Sequence, residues 1–187
     1  MLYSKSEWRR RTQMEIAALP EDYILTSDEK IYFLVTQQTE FISARNIFIY
    51  HSVKKEPDTH RIMRAAISMG KTVALPYCCN GGIMEARIIG SLEVLRPSIH
   101  QIPAPPDTAQ LLAPEELDLV IVPALTYDLD GYRLGQGGGY YDRYLTKTSA
   151  FTIGLTRERL IQEKLPRAPH DIPVSSIITE TTRYNRT

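Results

Sequence analysis

The stretch "LDLVIVPALTYDLDGYRLGQGGGYYDRYL" at residues 117–145 is the most informative part of the sequence. Its first nine residues, 117–125, are apolar almost throughout, as expected for a strand that is covered on both faces. Glycines follow at positions 135 and 137–139, and "YYDRYL" (140–145) predicts a short helix. A strand, a glycine loop and a helix in this order predict a ligand site at the carboxyl end of a sheet strand.

Helical and extended patterns alternate along the rest of the chain. Helices are predicted at 4–19, at 26–42 with a capping box from Thr26 to Glu29, at 58–70 with Asp58 as the cap, and at 157–165. Strands are predicted at 46–53, 71–78, 151–156 and 175–180, with a strand pair or a strand and turn at 82–95 and a proline-rich loop at 96–116. The alternation predicts an α/β fold: a single domain (1–187) with a mostly parallel sheet flanked by helices, in a Rossmann-like three-layer architecture.

The composition narrows the class of protein. Lys+Arg and Asp+Glu both number 22, so no overall charge attracts nucleic acid or an anionic membrane, and any anion site must be local. Adjacent Cys78 and Cys79 offer no zinc spacing, and we interpret them as two small buried hydrophobes in a reducing compartment. The polar, basic N-terminus and the lack of a long apolar run predict a cytoplasmic protein without a membrane or nucleic-acid partner.

The glycine loop is suited to binding phosphate. Glycines let backbone N–H groups approach an anion closely, the following helix directs the positive end of its dipole at the same point, and Arg133 can add a bidentate contact. A glycine-rich structural turn is the alternative interpretation. The familiar phosphate motifs do not fit, because no Lys follows the glycines and position 140 is Tyr where G-x-G-x-x-G requires Gly. The loop is therefore a phosphate loop of a different type.

Three side chains directly after the loop have two interpretations each. Asp142 either stabilises the start of the helix or holds Mg²⁺ beside a polyphosphate. Tyr140 and Tyr141 either pack in the core or offer a ring and a hydroxyl to a ligand.

The same stretch resembles the 5-formyltetrahydrofolate cyclo-ligases, also called 5,10-methenyltetrahydrofolate synthetases. Residues that match their signature are Pro123, Asp128, Gly131, Arg133 to Gly135, Gly137, Gly139, Tyr140, Tyr141 and Asp142. Further similarity lies in Lys5 and Arg9 of the first helix, in "IYHSVKKEPDTHRI" (49–62), in "GKTVALP" (70–76) and in "LPRAPHDIPVSSIITE" (165–180). The resemblance thus covers most of the chain.

The resemblance implies an ATP- and Mg²⁺-dependent enzyme that cyclises 5-formyltetrahydrofolate to 5,10-methenyltetrahydrofolate and releases ADP and phosphate. The expected partners are the folate and ATP, and the expected state is a monomer or weak dimer. One alternative is a nucleotide-binding paralogue without cyclo-ligase activity, either regulatory or RNA-associated. Another is an ATP-dependent enzyme that acts on a different bicyclic amide.

The resemblance also implies roles for individual residues. Tyr140 and Arg133 are expected to be catalytic, Glu56 is expected to hold the amino-amide edge of the pterin, and Asp142 and Asp171 are expected to support Mg²⁺. The expected ATP contacts are Lys5, Arg9, Arg133, Leu134, Gly135, Gln136, Gly137, Gly138, Gly139, Tyr140 and Tyr141. The expected folate contacts are Arg9, His51, Glu56, Gln136 and Tyr140.

Several positions depart from the family pattern. Ser98 stands for a Gly and Gln101 roughly for a Glu, Tyr127 replaces a Phe, and Arg157 and Leu160 stand where an aromatic residue and a Gln are usual. We expect these changes to line mostly the folate side of the site.

Overall fold

A computed structural model gives the structure of residues 3–98 and 102–186. Its helices are α1 (Lys5–Ala17), α2 (Glu21–Thr36), α3 (Thr39–Ser43), α4 (His60–Ser68) and α5 (Tyr140–Leu145). Its strands are β1 (Asn46–Ile49), β2 (Thr72–Cys78), β3 (Met84–Ile89), β4 (Leu111–Leu112), β5 (Leu119–Val122), β6 (Thr126–Tyr127), β7 (Arg133–Leu134), β8 (Phe151–Leu155), β9 (Ser176–Ile178) and β10 (Arg183–Asn185).

Eight of these strands form one sheet, in the order β10-β9-β8-β5-β1-β2-β3-β4. The five central strands, from β9 to β2, run parallel, and β3, β4 and β10 are antiparallel to their neighbours. The parallel strands follow the 2-1-3-4-5 order of a doubly wound sheet. The winding reverses between β1 and β5, and such a switch point is where these sheets bind ligands.

Both faces of the sheet are covered, because buried side chains alternate along its strands. In β1, Ile47 and Ile49 point to the face packed by α2, α3 and α4, whereas Phe48 points to the opposite face. Tyr144 and Leu145 of α5 pack on that opposite face. The predicted α/β fold, a mostly parallel sheet between flanking layers, is confirmed.

Helix α1 is packed outside the sheet, against a hairpin formed by β6 and β7. A capping box between Ser4 and Glu7 fixes its start. Trp8 and Ile16 pack against a small cluster that includes Leu134 of β7. The predicted helix at 4–19 is confirmed, and its packing places α1 beside the glycine loop that follows β7.

The start of the second helix was predicted wrongly. Helix α2 begins at Glu21, directly after Pro20, and its first turn carries Glu21 and Asp22. Thr26 lies inside the helix, where its hydroxyl donates to the Asp22 carbonyl at 2.8 Å and so has no capping function. The predicted cap at Asp58 lies one residue too early, because Thr59 is the N-cap of α4; Asp58 Oδ1 accepts a hydrogen bond from the His60 N–H at 2.8 Å just before the helix.

The predicted helix at 157–165 is also wrong, because only a single 3₁₀ turn forms, at Glu158–Leu160. The backbone of this segment instead bonds to the start of the hairpin. Thr126 donates its hydroxyl to the Leu160 carbonyl at 2.5 Å, and Gln162 N–H donates to the Tyr127 carbonyl at 3.0 Å. These tertiary bonds replace the i to i−4 bonds that a helix would need.

The strand predicted at 117–125 is shorter than expected, since β5 ends at Val122 before Pro123. The chain then enters the β6–β7 hairpin, so the glycine loop follows a hairpin strand and not the buried strand itself. Strand β4 lies within the predicted 96–116 loop, and β10 was not predicted. Within the described residues, no helix is long and apolar enough to cross a membrane.

Candidate active site

A cavity of 780 Å³ opens at the switch point of the sheet. Its floor consists of residues that directly follow the parallel strands: Tyr50 and His51 after β1, and Pro123 and Ala124 after β5. The carboxyl ends of parallel strands meet at one edge of a sheet, so residues distant in sequence converge here.

The residues that the resemblance implied are brought together in this one cavity, although they come from positions 5 to 171. The lining includes Lys5, Arg9, His51, Glu56, Arg133, Leu134, Gly135, Gln136, Gly137, Gly138, Gly139, Tyr140, Tyr141, Asp142 and Asp171. The expected ATP contacts, folate contacts and carboxylates therefore share a single space.

The glycine loop, residues 135–139, forms one rim of the cavity. Gly137 (φ 103°) and Gly139 (φ 65°) adopt left-handed conformations that side-chain-bearing residues rarely occupy. Arg9 lies across the loop: its Nε donates to the Gly135 carbonyl at 2.8 Å. Helix α5 has only six residues, so its dipole is weaker than that of a long helix. The predicted phosphate contact would therefore depend mainly on the loop amides and the nearby cations.

Arg133 and Asp142 form an ion pair at the base of the loop, with Arg133 Nη2 2.5 Å from Asp142 Oδ1. The other terminal nitrogen of Arg133 donates to the Ile172 carbonyl at 2.6 Å, and the Ile172 N–H donates to Asp142 Oδ1 at 3.1 Å. Only 6% of the Arg133 side chain is exposed. Arg133 therefore fixes the orientation of Asp142, in addition to the phosphate contact that remains a prediction.

Lys5 and Asp171 form a second ion pair on the same rim. Lys5 Nζ lies 2.7 and 2.5 Å from the two carboxylate oxygens of Asp171. Burial raises the pKa of Asp171, but the Lys5 ammonium and the Ala168 N–H outweigh it and leave the pKa lowered. Asp171 is therefore ionised at neutral pH.

Asp142 and Asp171 meet part of the requirement for Mg²⁺. Asp171 directly precedes Ile172, whose N–H donates to Asp142 Oδ1. Neither hydrogen bond of Asp142 uses its Oδ2 oxygen. No group of three or more His, Cys, Asp or Glu within residues 3–98 and 102–186 is arranged to hold a metal ion. One or two carboxylates suit Mg²⁺ when substrate phosphates supply the remaining ligands.

Glu56 also lines the cavity, from the loop after β1. Its Oε2 accepts a hydrogen bond from the Val53 N–H at 2.9 Å. Burial raises the pKa of Glu56, although the Val53 bond acts in the other direction. A desolvated carboxylate of this kind is well suited to accept hydrogen bonds from a ligand.

His51 belongs to a chain of polar groups that leads out of the cavity. A ring nitrogen of His51 lies 3.1 Å from His60 Nε2, and His60 Nδ1 lies 3.2 Å from Asp58 Oδ1. Burial and the neighbouring His60 lower the pKa of His51. His51 is therefore neutral at physiological pH and can offer a ligand a neutral ring nitrogen, as either donor or acceptor.

The two tyrosines after the loop have different surroundings. Tyr140 is half-buried, and the Arg143 guanidinium lies 5.3 Å from its ring centroid. Tyr141 stacks on Phe48 with ring centroids 6.2 Å apart, and its buried hydroxyl has no hydrogen-bond partner within the described part of the chain. The ring of Tyr141 therefore has the packing role that was one of its two interpretations.

The departures from the family pattern lie mostly outside the cavity, which contradicts our expectation. Tyr127, Arg157 and Leu160 are buried behind the lining and do not form part of it. The Tyr127 hydroxyl donates to the Val122 carbonyl at 2.7 Å, so the extra oxygen is satisfied inside the core. Ser98 does line the cavity, whereas Gln101 lies outside the described residues.

An apolar wall of the cavity was missed from the sequence. It is built by the end of β2 with Met84 of β3, and by Pro97, Ile102 and Pro103 of the proline-rich segment. The residues at the end of β2 could have been predicted to line the site, because the carboxyl ends of parallel strands face the ligand site in this class of fold. Cys78, expected to be buried, is half-buried and lines this wall.

Comparison with known proteins agrees with the geometry. Residues 2–180 match the model of the 5-formyltetrahydrofolate cyclo-ligase family. The 5-formyltetrahydrofolate cyclo-ligase of Mus musculus is 27% identical over 190 residues, covering 95% of this chain and 94% of its own. That of Mycolicibacterium smegmatis is 29% identical over 147 residues, covering 74% of this chain and 75% of its own. The NMR structure of Aquifex aeolicus 5,10-methenyltetrahydrofolate synthetase superimposes with a TM-score of 0.87 and 29% identity, covering 97% of this chain and 92% of its own.

Proposed function

Because the chain belongs to the 5-formyltetrahydrofolate cyclo-ligase family, whose members are ligases, we propose that it cyclises 5-formyltetrahydrofolate to 5,10-methenyltetrahydrofolate. The reaction would consume ATP, require Mg²⁺, and release ADP and phosphate. The observation that carries the proposal is the convergence of the glycine loop, two carboxylate–cation pairs and Glu56 on one 780 Å³ cavity. We further propose that the enzyme acts in the cytoplasm as a monomer or weak dimer.

The chemistry explains why ATP is needed. The N5-formyl oxygen is a poor leaving group, so its direct expulsion as hydroxide or oxide during ring closure would be slow. Attack of that oxygen on the γ-phosphorus of ATP forms an O–P bond and releases ADP. N10 then attacks the formyl carbon and loses its proton, and the C–O bond breaks with departure of phosphate. The protein contributes positioning and charge stabilisation, as in other phosphoryl transfers.

The phosphate side of the cavity supplies the donors for this step. The amides of the 135–139 loop and the cations Lys5 and Arg9 are placed to contact the phosphates. Asp142, oriented by Arg133, and Asp171 would hold Mg²⁺ together with phosphate oxygens. The ion would neutralise charge on the transferring phosphoryl group. Release of Lys5 from Asp171 would free both groups for the ligand.

The folate side supplies recognition. Glu56 would accept two N–H bonds from the amino-amide edge of the pterin, and the apolar wall of β2 and the proline-rich segment would cover the ring faces. The Tyr141 hydroxyl and the neutral His51 ring are further polar groups on the lining.

The alternative of a paralogue without catalytic activity was favoured by departures at residues 98–102 and 157–160, of which Ser98 does line the cavity. Arg157 and Leu160, two of the departures that favoured it, are buried behind the cavity and leave the lining of the ATP and folate sides unchanged. The other alternative is an enzyme that acts on a different bicyclic amide, and a turnover assay with 5-formyltetrahydrofolate distinguishes it from our proposal.

We expect the purified protein to convert 5-formyltetrahydrofolate to the methenyl product when Mg²⁺ and ATP are both present. Absorbance of the methenyl product measures turnover, and ADP release measures ATP use in the same samples. Millimolar Mg-ATP alone should raise the melting temperature, because a ligand that binds only the folded state stabilises it. A melting shift without turnover would favour the non-catalytic paralogue, and no shift would contradict the assignment of the phosphate loop.

We expect Tyr140→Phe to lower kcat by about 10- to 100-fold, equivalent to a barrier increase of about 1.4–2.7 kcal/mol. Tyr140 directly continues the loop that would hold the γ-phosphate, so its hydroxyl is placed to contact the reacting oxygen or phosphoryl group. The substitution keeps the ring, and ATP affinity should barely change. Steady-state kinetics with both substrates varied give the two effects separately.

Tyr141→Phe is the matched control, because the adjacent helical residue projects about 100° away. Its kcat should stay within about threefold of the wild-type value. Equal small effects of both substitutions would show that the tyrosines serve as packing residues and that the loop acts through its backbone and cations.

A further inference from the structure

Arg157 lies directly under the loop that carries Glu56. Only 1% of its side chain is exposed, and each of its three guanidinium nitrogens donates a hydrogen bond. Nε donates to the Ser27 hydroxyl at 2.8 Å, Nη1 to the Lys55 carbonyl at 2.8 Å and Nη2 to Asp28 Oδ1 at 2.5 Å. The guanidinium thus joins the end of β8 to helix α2 and to the residue just before Glu56.

Asp28 fixes the other side of the same loop. Its Oδ1 atom, already bound to Arg157, accepts a hydrogen bond from the Asp58 N–H at 3.2 Å. The backbone on both sides of Glu56, at Lys55 and at Asp58, is therefore attached to one buried ion pair. The backbone that carries Glu56 can shift appreciably only if at least one of these bonds breaks, and the carboxylate itself is held by the Val53 N–H.

The loop needs such attachment because its backbone is unfavourable on its own. Lys54 has a left-handed conformation, with φ of 54°, which costs free energy in a residue with a side chain. Lys55 uses its ammonium group to donate to the Ala17 carbonyl at 2.7 Å, at the carboxyl end of α1. External bonds thus hold this turn in a single conformation.

We propose that Arg157, together with Asp28, is a positioning pair for Glu56 and so sets the affinity for the folate without touching it. The inference rests on the proposed function, in which Glu56 contacts the pterin. A carboxylate that must accept two parallel hydrogen bonds tolerates little displacement, and an error of about 1 Å in placing a group can cost 100-fold. None of the bonds made by this pair involves a residue of the 135–139 loop, so ATP binding is expected to change little when the pair is removed.

The test compares the wild type with Arg157→Met/Asp28→Leu. Replacing both charges by apolar residues avoids an unpaired buried charge, so the variant is expected to fold. We expect its Kd for 5-formyltetrahydrofolate, measured by titration without ATP, to rise by about 10-fold or more, and its KM for ATP to stay within about twofold. Arg157→Lys keeps a cation but not the planar guanidinium, so its folate Kd should lie between those of the wild type and the double variant. If the double variant does not fold, Arg157→Lys takes its place in the comparison.

Two further measurements distinguish positioning from general stability. Arg183→Met removes another ion pair, which joins β10 to Glu40 of α3, and should lower the melting temperature without changing the folate Kd. Glu56→Gln should weaken folate binding much less in the Arg157→Met/Asp28→Leu background than in the wild type, because both act on the same contact. Additive effects, or a wild-type folate Kd in every folded Arg157 variant, would overturn the inference. Absence of folate binding by the wild type would instead contradict the proposed function.

Discussion

Gly137→Val is expected to abolish the Mg-ATP-dependent rise in melting temperature and to lower kcat/KM for ATP by at least about 100-fold. Gly137 has φ of 103°, a conformation that strains any β-branched residue by about 1–3 kcal/mol. Its Cβ would lie in van der Waals contact with Arg9, 3.4 Å from Cζ, so the larger Val side chain would stand beside a cation expected to contact phosphate. The side chain would occupy space through which the loop amides reach the anion.

Gly90→Val is the matched control for this experiment. Gly90 is exposed and directly follows β3, and a Cβ added at this position would meet no atom within 4 Å. The variant should therefore keep both the melting shift and the ATP kinetics of the wild type. A normal melting shift with Gly137→Val would mean that the loop is a structural turn and that ATP binds elsewhere.

Glu56→Gln is expected to raise KM for 5-formyltetrahydrofolate by about 10- to 150-fold, from the loss of about 1.5–3 kcal/mol. Gln offers one acceptor and places a donor against an N–H group of the ligand. The KM for ATP should remain nearly constant, since the hydrogen bond of the Glu56 carboxylate goes to Val53 and not to the 135–139 loop. An equal rise in both KM values would remove Glu56 from the pterin site.

Glu56→Gln is expected to weaken folate binding but to stabilise the unliganded protein, because the pKa of Glu56 is raised in the folded state. An acid whose pKa is higher in the folded than in the unfolded state contributes stability at low pH, and this is lost as the pH rises from 4.5 through the folded pKa. At neutral pH the ionised carboxylate therefore opposes folding, and Glu56→Gln should raise the melting temperature without ligand. Thermal unfolding at pH 7 with and without folate measures both effects on one sample.

Much of the central sheet could be predicted because its signal is local. The apolar run around β5 and the β-branched residues of β1 and β8 identify buried strands from composition alone. Helix α4 likewise carries its stop signal in Gly70, which has φ of 74°. These elements depend mainly on residues within a few positions of one another.

The hairpin after β5 could not be predicted because its determinant is a buried acid. Asp128 resembles a loop residue in the sequence, yet it is fully buried and accepts hydrogen bonds from the N–H groups of Asp130, Tyr132 and Leu165. The partner at Leu165 lies 37 positions away, in the segment that was expected to be helical. The same distant bonds that build the hairpin therefore explain the wrong helix.

The candidate site shows the same division between local and distant determinants. The glycine loop, Arg133, Asp142 and the two tyrosines after the loop had a physical interpretation from the sequence, whereas the other site residues were named from a resemblance. The role of Arg157 depends on Ser27 and Asp28, about 130 positions earlier, and no spacing rule joins them. Resemblance to a family identified the groups that face the cavity, whereas packing identified the groups that hold them.

The ion pair between Lys5 and Asp171 joins positions 166 residues apart, and this has a consequence for synthesis of the protein on the ribosome. Helix α1 emerges first, but its cation meets no carboxylate partner at this site until residue 171 has also left the exit tunnel. A nascent chain that stops earlier can contain the glycine loop and Glu56 and still lack one rim of the cavity. Until residue 171 has emerged, the growing chain therefore exposes an unfinished candidate site to the solvent.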